Sequence, residues 1–239
     1  MKSKPIPDAN AFPTALPGAA SAEKVRPIGK RGEKSEAIRE ALLRAAEQVV
    51  GEIGYANASV TLITQKAGVG QGTFYNYFQS RQEILDALLP ALGKDMLNHV
   101  KKSALGGHSF AELEDRSFRG FFDYLERTPH FFRILNEADV FAAKGHAEHF
   151  ETISSRYLRF LRQSHENGEF PAFREDELET IVFILIAART YLAMHYVFGE
   201  DGHKPLPKAV ADTYIKFVRY GLEGVPPEAG TSKPKKEKS

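Results

Sequence analysis

The chain has 239 residues, 42% of them hydrophobic and 26% charged, enough for one large globular domain or two smaller ones. It has no cysteine, which excludes disulfides and thiolate metal sites and suits a reducing compartment such as the cytoplasm. The formal net charge is only +1, but residues 24–34 and 231–239 are rich in lysine and arginine. Residues 53–82 contain no aspartate or glutamate. This distribution fits a polyanionic partner, with solubilising tails as the alternative.

The two ends of the chain differ from the rest in composition. Residues 1–32 are rich in proline, alanine and glycine without periodicity, which predicts a disordered basic arm. They contain no continuous apolar run, so we expect no secretory signal. Residues 225–239 begin with Val225-Pro226-Pro227 and predict a disordered basic tail.

The first predicted helix follows the arm. Its apolar residues recur every three or four positions from Ile38 to Ile53, with Ser35 as the expected N-cap and Gly54 as the stop. Two short helices are predicted next, over residues 59–67 and 71–78. Three residues, Gly68 to Gly70, separate them.

A longer helix is predicted from Ser80 to about Lys102. Ser80 and Glu83 match a capping box, and Pro90 should bend the helix because it removes one backbone hydrogen bond. Helical patterns then follow one another with little strand signal. They cover residues 110–127, 129–141, 147–168, 175–198 and 207–224. The sequence therefore predicts an all-α fold.

Two short helices joined by a glycine-containing turn are typical of a helix-turn-helix. Gln71 and Thr73 would stand near the start of the second helix, where side chains meet base edges in the major groove, and Gly72 would let the backbone approach DNA. Neutral donors for phosphate oxygens follow at Tyr75, Asn76 and Tyr77. Further phosphate contacts are expected from Ser59, Thr61 and Arg81. The alternative is a core-forming helical hairpin with tyrosines at its rim.

Residues 54–85 resemble the N-terminal DNA-binding region of the tetracycline-repressor (TetR) family of bacterial regulators. The matching residues are Ile63, Ala67-Gly68-Val69, Gly72-Thr73-Phe74-Tyr75, Tyr77-Phe78 and Ser80-Arg81. Two positions depart from the family pattern: Gly70 replaces the usual serine, and Thr64 replaces the usual alanine.

The resemblance implies an all-α homodimer. A three-helix DNA-binding domain at residues 33–80 would be followed by a larger helical domain, residues 81–224, that binds an effector and dimerises. Such a protein would bind a palindromic operator, most simply as a repressor, and leave it when a small effector binds.

The predicted C-terminal helices are rich in aromatic residues, most of which we expect in the core. A pocket between the helices would suit a small, largely apolar effector. Its expected lining is Phe118, Phe122, Phe131, Phe132, Tyr157, Phe183, Tyr191 and His195. Polar groups available to orient the effector are Arg119, Arg133, Asn136 and Arg189.

Three features of the sequence admit other interpretations. Residues 181–198 are apolar enough for a membrane span, but Arg189 at their centre favours a buried interface helix. His146 and His149 share a helical face without a second ligand pair, so we expect a solvated face and no metal. No nucleophile–base set is evident, so we expect no enzyme and no cofactor. A helical-bundle enzyme or metal-binding protein remains the alternative.

Overall fold

A computed structural model of the protein describes residues 30–199 and 202–222. Within them the fold is all-α apart from one small hairpin. The helices are α1 (Lys30–Ile53), α2 (Val60–Ala67), α3 (Gln71–Phe74), α4 (Arg81–Ala104), α5 (Phe110–Arg127), α6 (His130–Phe141), α7 (Ala143–Glu166), α8 (Leu178–Leu192) and α9 (Lys208–Leu222). The hairpin consists of β1 (Phe198–Gly199) and β2 (Gly202–His203). The predicted tail, and the predicted arm up to residue 29, lie outside the described residues.

Helix α1 starts earlier than its sequence pattern predicts. Ser35 lies inside the helix and is not its N-cap, because the helix already begins at Lys30. Pro27 is the last proline before α1, so no residue that blocks a helix stands between Lys30 and Ser35. The other end agrees with the prediction, since Gly54 has a φ of 81°, a conformation that glycine adopts without strain.

Helix α4 connects the two parts of the molecule without interruption. The Ser80 hydroxyl accepts a hydrogen bond from the backbone N–H of Glu83 at 3.1 Å, as predicted. The Glu83 carboxylate, however, accepts from the N–H of Gln79 and not from that of Ser80, so the capping box is modified. Pro90 lies inside the continuous helix.

Glycines bring α4 and α7 together. A Cβ added at Gly93 would lie 2.2 Å from Nδ1 of His149, and one added at Gly145 would lie 2.1 Å from the backbone oxygen of Asp86. Asp86 lies against Gly145, and Gly93, further along α4, lies against His149, further along α7. Helices α4 and α7 therefore run in the same direction. Helix α4 also packs on α5, α7 on α8, and α5 on α9, which gives the C-terminal bundle.

The chain from 175 to 199 is not the single helix that its apolar pattern predicts. A 3₁₀ turn, Glu175–Glu177, precedes α8, and a π-helical turn, Ala193–Val197, follows it. Phe198 then leaves the helical path and stacks on Phe132, with ring centroids 4.2 Å apart. This aromatic contact anchors the hairpin to α6.

Candidate nucleic-acid interface and effector cavity

The turn between α2 and α3 has the geometry of a helix-turn-helix. Gly68 ends α2 in the left-handed region at a φ of 69°, and its N–H bonds to carbonyls of the last turn. Gly70 is the N-cap of α3 and supplies no side-chain hydrogen bond. Glycine at that position therefore leaves the first N–H groups of α3 without the side-chain cap that serine would provide.

Helix α3 and the turn after it have an apolar inner side and a polar outer side. Phe74 and Phe78 are buried, as predicted, and anchor the segment on the core. On the other side Gln71 and Asn76 are exposed, and the Tyr75 side chain is 56% exposed. Thr73 and Tyr77 are half-buried. The segment therefore packs on the core with one side and leaves hydrogen-bonding groups on the other.

Two of the predicted contact residues are joined to each other. The Gln71 side-chain amide donates to the Thr61 hydroxyl at 2.9 Å, which ties the start of α3 to α2. The Ser59 hydroxyl accepts from the N–H of Leu62 at 3.2 Å and so caps α2, but its own O–H remains a donor. These bonds hold the predicted contact groups in fixed positions on one surface.

Gly72 has no structural need to be glycine. A Cβ added there would meet no atom within 4 Å, and its φ lies outside the left-handed region. Alanine would stabilise an exposed helix by about 0.5–1 kcal/mol relative to glycine. The space beside Gly72 is therefore open on the outer side of α3.

Arg81 has a structural position that the sequence did not indicate. Its Nε donates to the carbonyl of Ala58, and its Nη2 donates to the carbonyls of Tyr55 and Ala56. These bonds attach the start of α4 to the loop between α1 and α2. Lys66 is also engaged, since its Nζ lies 2.9 Å from Oε1 of Glu52. The interface therefore presents mainly neutral hydrogen-bonding groups.

A second candidate site is a cavity inside the C-terminal bundle. The volume open to the centre of a water-sized sphere is about 100 Å³, within about 970 Å³ of empty space that includes open solvent. Helices α4 to α8 all contribute to its wall. The described lining is Met96, Leu97, Asn98, Val100, Lys101, Ser117, Phe121, Phe131, Leu135, His149, Phe150, Ile153, Arg156, Tyr157, Phe160, Ile186, Arg189 and Thr190.

Only two of the eight residues predicted to bind the effector line this cavity, namely Phe131 and Tyr157. Phe118 and Phe122 are buried away from it, and Phe118 stacks on Tyr214 with centroids 3.9 Å apart. Phe132 is buried against Phe198. The remaining three, which are exposed and not part of the wall, are Phe183, Tyr191 and His195.

Of the four predicted polar groups only Arg189 lines the cavity. Arg119 bonds at 2.7 Å to both Asp115 and Asp212, and Asn136 donates to the carbonyl of Phe132 in its own helix. The sequence shows which side chains are polar, but it does not show which of them point into the cavity, because that depends on how the neighbouring helices pack.

Arg189 belongs to a buried polar cluster that sequence reasoning missed. Its Nη2 donates to Oε1 of Glu114 at 2.7 Å and to the Ser117 hydroxyl at 3.1 Å. Glu114 is fully buried and also accepts from the hydroxyls of Tyr157 and Tyr214. Burial, reinforced by the Glu114 charge, raises the pKa of Tyr214, and burial also raises that of Tyr157. Both hydroxyls therefore stay protonated and donate.

His149 is buried, which contradicts the solvated face predicted for it. It packs against Gly93 and lines the cavity. Burial, with a smaller contribution from His146, lowers its pKa from 6.5 to about 4, so the ring is neutral at pH 7. Among residues 30–199 and 202–222, no group of three or more histidine, aspartate or glutamate side chains is arranged to hold a metal ion.

Helix α6 touches both candidate sites. Its residues Phe131 and Leu135 line the cavity. Arg133, on the same helix, donates to the carbonyls of Gly51 and Glu52 at the end of α1, at 3.2 and 3.1 Å. Oε2 of Glu137 accepts from the N–H of Tyr55 at 3.0 Å. One helix therefore joins the cavity wall to the DNA-binding region.

Helices α8 and α9 leave large apolar side chains in solvent. Ile184 is 53% exposed, Tyr191 68% and Phe217 70%. The segment Glu175–Val197 is long and apolar enough to cross a membrane by length and composition, which is weak evidence because soluble core helices meet the same criteria. Only 28% of its most apolar window is buried.

The fold and the first site together define a helix-turn-helix DNA-binding protein with a separate helical bundle. Residues 42–88 match the sequence model of bacterial regulatory proteins of the tetR family. This match confirms the resemblance of the N-terminal region to the TetR family.

Relatives extend the similarity beyond the N-terminal region. The chain is 22% identical over 183 residues to the uncharacterized HTH-type transcriptional regulator YhgD of Bacillus subtilis, covering 76% of this chain and 94% of that protein. Fatty acid degradation regulator FadR from Bacillus halodurans shares the fold, with a TM-score of 0.62 at 20% identity over 75% and 93% of the two chains. FadR from Bacillus subtilis in complex with stearoyl-CoA has a TM-score of 0.61 at 18% identity, over 79% of this chain and all of that one.

Proposed function

We propose that the protein is a cytoplasmic regulator, most simply a repressor, that binds a palindromic operator as a homodimer and leaves it when an effector binds. The observation that carries this proposal is the outer surface of α3 and of the turn that follows it. It combines exposed Gln71 and Asn76 with a glycine, Gly72, that nothing inside the protein requires. Named relatives are transcriptional regulators, so we propose regulation and not catalysis.

The proposed DNA contacts divide into two groups. Gln71 and Thr73 read base edges, and Gly72 lets the backbone approach the groove. Phosphates are held by neutral donors at Ser59, Thr61, Tyr75, Asn76 and Tyr77. Arg81 contributes indirectly, because its bonds to residues 55–58 fix the start of α4. The domain limits 33–80 and 81–224 are retained as part of this proposal.

The basic residues that precede α1, Lys24 and Arg26 among them, are proposed to supply positive charge that the helix-turn-helix lacks. Lys66 is paired with Glu52, so its attraction for phosphate is reduced. Deleting residues 1–29 leaves α1 intact and should lower operator affinity most at low salt, without changing the preferred sequence. Equal affinity of the two proteins across a salt titration would instead assign the arm a solubilising role.

The dimer is proposed to form through α8 and α9. Their exposed apolar side chains include Ile184 and Phe217. A second copy covers such a surface without the penalty of placing charged groups in a bilayer. Two recognition helices in one dimer should then reach half-sites about 34–36 Å apart, or a multiple of that distance.

Effector control is proposed to act through α4 and α6. Both helices line the cavity, α4 carries the DNA-binding region at its start, and α6 holds the end of α1. A small, largely apolar effector that separates these helices would change the spacing of the two recognition helices. Solved relatives named for fatty acid regulation make acyl compounds the first class to test.

Selection from a random DNA duplex library tests the proposal. We expect one enriched symmetric motif. Gly72→Ala should weaken binding to that motif about tenfold or more while raising the melting temperature, because the added methyl group blocks only the approach to DNA. If no symmetric motif is enriched, the protein is not a specific operator-binding dimer. If Gly72→Ala binds normally, α3 does not approach DNA through Gly72.

A further inference from the structure

The described wall of the cavity carries charge of one sign. Lys101, Arg156 and Arg189 line it, and no aspartate or glutamate does. A purely apolar effector gives no reason for three cations beside the same apolar space, because a charge is costly to desolvate without a partner. The positions of the negative charges nearby decide how much of this positive charge is compensated.

Arg189 is already balanced by Glu114. The Arg189 side chain is 12% exposed and the Glu114 side chain is fully buried, with 2.7 Å between Nη2 and Oε1. Burial by itself would lower the pKa of Arg189, but the Glu114 carboxylate more than offsets this, and the pKa rises. Glu114 accepts two tyrosine hydroxyls as well, so its oxygens are occupied. It does not neutralise the other two cations.

Lys101 and Arg156 carry the uncompensated charge. Neither forms an ion pair or a side-chain hydrogen bond among residues 30–199 and 202–222, and both are half-buried.

The contact between Gly93 and His149 sets the register of the parallel helices α4 and α7. Lys101 lies about 12 Å beyond Gly93, and Arg156 about 10.5 Å beyond His149, at 1.5 Å per residue. Both cations therefore reach a similar level of the cavity.

A hydrogen-bond donor without an acceptor lies near that level. Nε of Arg189 is buried and has no hydrogen-bond partner among the described residues. The hydroxyl of Tyr157, next to Arg156 in the chain, lies 3.2 Å from Nη2 of the same guanidinium. A buried N–H without an acceptor is unfavourable, so a ligand oxygen that accepts from it gains affinity.

We propose that the effector is an amphiphilic anion whose charged group lies between Lys101 and Arg156, while an oxygen of the same molecule accepts from Nε of Arg189. Its apolar chain extends toward neutral His149 and the residues Phe131 and Leu135. This inference rests on the proposed ligand control and specifies the chemistry of the effector. It excludes lipophilic cations, which two unpaired cations would repel.

The anionic chain can come from two sources, a free carboxylate or an acyl thioester that carries its charge on a nucleotide. A panel with one chain length separates them: dodecanoate, lauroyl-CoA, 1-dodecanol and dodecyltrimethylammonium, all below their micellar concentrations. Calorimetry measures the affinity of each for the full-length protein, and operator release is measured beside it. At least one anion should bind about tenfold or more tighter than the alcohol, and the ammonium compound weakest.

The variant Lys101→Gln/Arg156→Gln should reduce the affinity for the anion to that of the alcohol and leave the alcohol unaffected. The matched control is Lys102→Gln/Arg162→Gln, which removes exposed cations from the same two helices and should change nothing. Binding of lauroyl-CoA alone, or of dodecanoate alone, supports the proposal and identifies the source of the anion.

Equal binding of anion and alcohol would overturn the proposal, as would unchanged anion affinity in the Lys101/Arg156 variant. If no compound of the panel binds while the protein still selects a symmetric operator, the effector inference fails and the DNA-binding function stands. If no operator is selected either, the proposed function itself fails.

Discussion

Tyr75 and Tyr157 carry the same hydroxyl group in two very different regions. Tyr75 lies on the outer side of the helix-turn-helix and is 56% exposed. Tyr157 donates to a fully buried carboxylate and lies beside Arg189 in the C-terminal bundle. The Tyr75 side chain is open to an outside partner, whereas the Tyr157 hydroxyl is engaged inside a buried polar cluster.

The two regions also differ in what fixes their geometry. The helix-turn-helix depends on neighbours in sequence: Ser59 caps α2 through Leu62, and Gly68 ends it. The bundle depends on distant residues, since Tyr214 reaches Glu114 across 100 positions. Substitutions in the first region should therefore change binding more than stability, and substitutions in the second should do the reverse.

The largest expected effect breaks this rule. Ile184→Asp or Phe217→Asp should abolish operator binding although both residues lie in the C-terminal region, because the proposed dimer would bury an unpaired charge at a cost of several kcal/mol. Both side chains are more than half exposed in one subunit, so the subunit should still fold. Sedimentation should show monomers or aggregates, with helical circular dichroism retained. Lys216→Ala, at an exposed polar position of α9, should stay dimeric. A variant dimer that still bound the operator would place the interface elsewhere.

Removing the buried carboxylate tests the cost of long-range polar contacts. Glu114→Gln should destabilise the protein by about 3 kcal/mol or more, because it leaves the Arg189 charge without its counter-ion. Urea unfolding at pH 7 measures this. The control Asp115→Asn breaks a more exposed ion pair with Arg119 on the same helix and should cost less than about 1 kcal/mol. Equal effects of the two substitutions would contradict the picture of a buried cluster.

His149 should make the stability of the bundle depend on pH. Its pKa is about 4 when folded and 6.5 as a free side chain, so the unfolded chain binds the proton more readily between those values. The neutral ring of His149 therefore contributes fully to the unfolding free energy above pH 6.5, and this contribution is lost as the pH falls toward 4. The loss reaches about 2–3 kcal/mol by pH 4.5. His149→Phe should show a smaller loss of unfolding free energy between pH 7.5 and 4.5. If both proteins lost the same amount of unfolding free energy, the pKa of His149 would be the same in the folded and unfolded states.

The smallest effect concerns the cap of α3. Gly70→Ser should raise the unfolding free energy by a few tenths of a kcal/mol, because the hydroxyl supplies the missing side-chain cap. A Cβ at this position meets no atom within 4 Å, so no clash opposes the change. Differential scanning calorimetry is sensitive enough to detect it. A lower melting temperature would show that glycine is needed for the conformation of the turn.

Local sequence determined the parts of the protein whose contacts are local. The limits of α5, the turn at residues 68–70 and the caps at Ser59 and Ser80 agree with their predictions, because a cap and the N–H that it satisfies are three residues apart. Phe74 and Phe78 are buried as the spacing of the predicted helix 71–78 implies, although α3 itself ends at Phe74.

Tertiary structure decided which face of each helix meets which neighbour. The aromatic composition of the C-terminal helices predicts a pocket, but only Phe131 and Tyr157 of the predicted lining residues line the cavity. The ring of His149 packs against Gly93 and not in solvent, and Arg133 donates to a carbonyl of α1 and does not line the cavity. Glu114 is buried because Tyr157, Arg189 and Tyr214, on three other helices, all donate to its carboxylate. Each of these outcomes depends on partners tens of residues away, and periodicity along one helix carries no information about them.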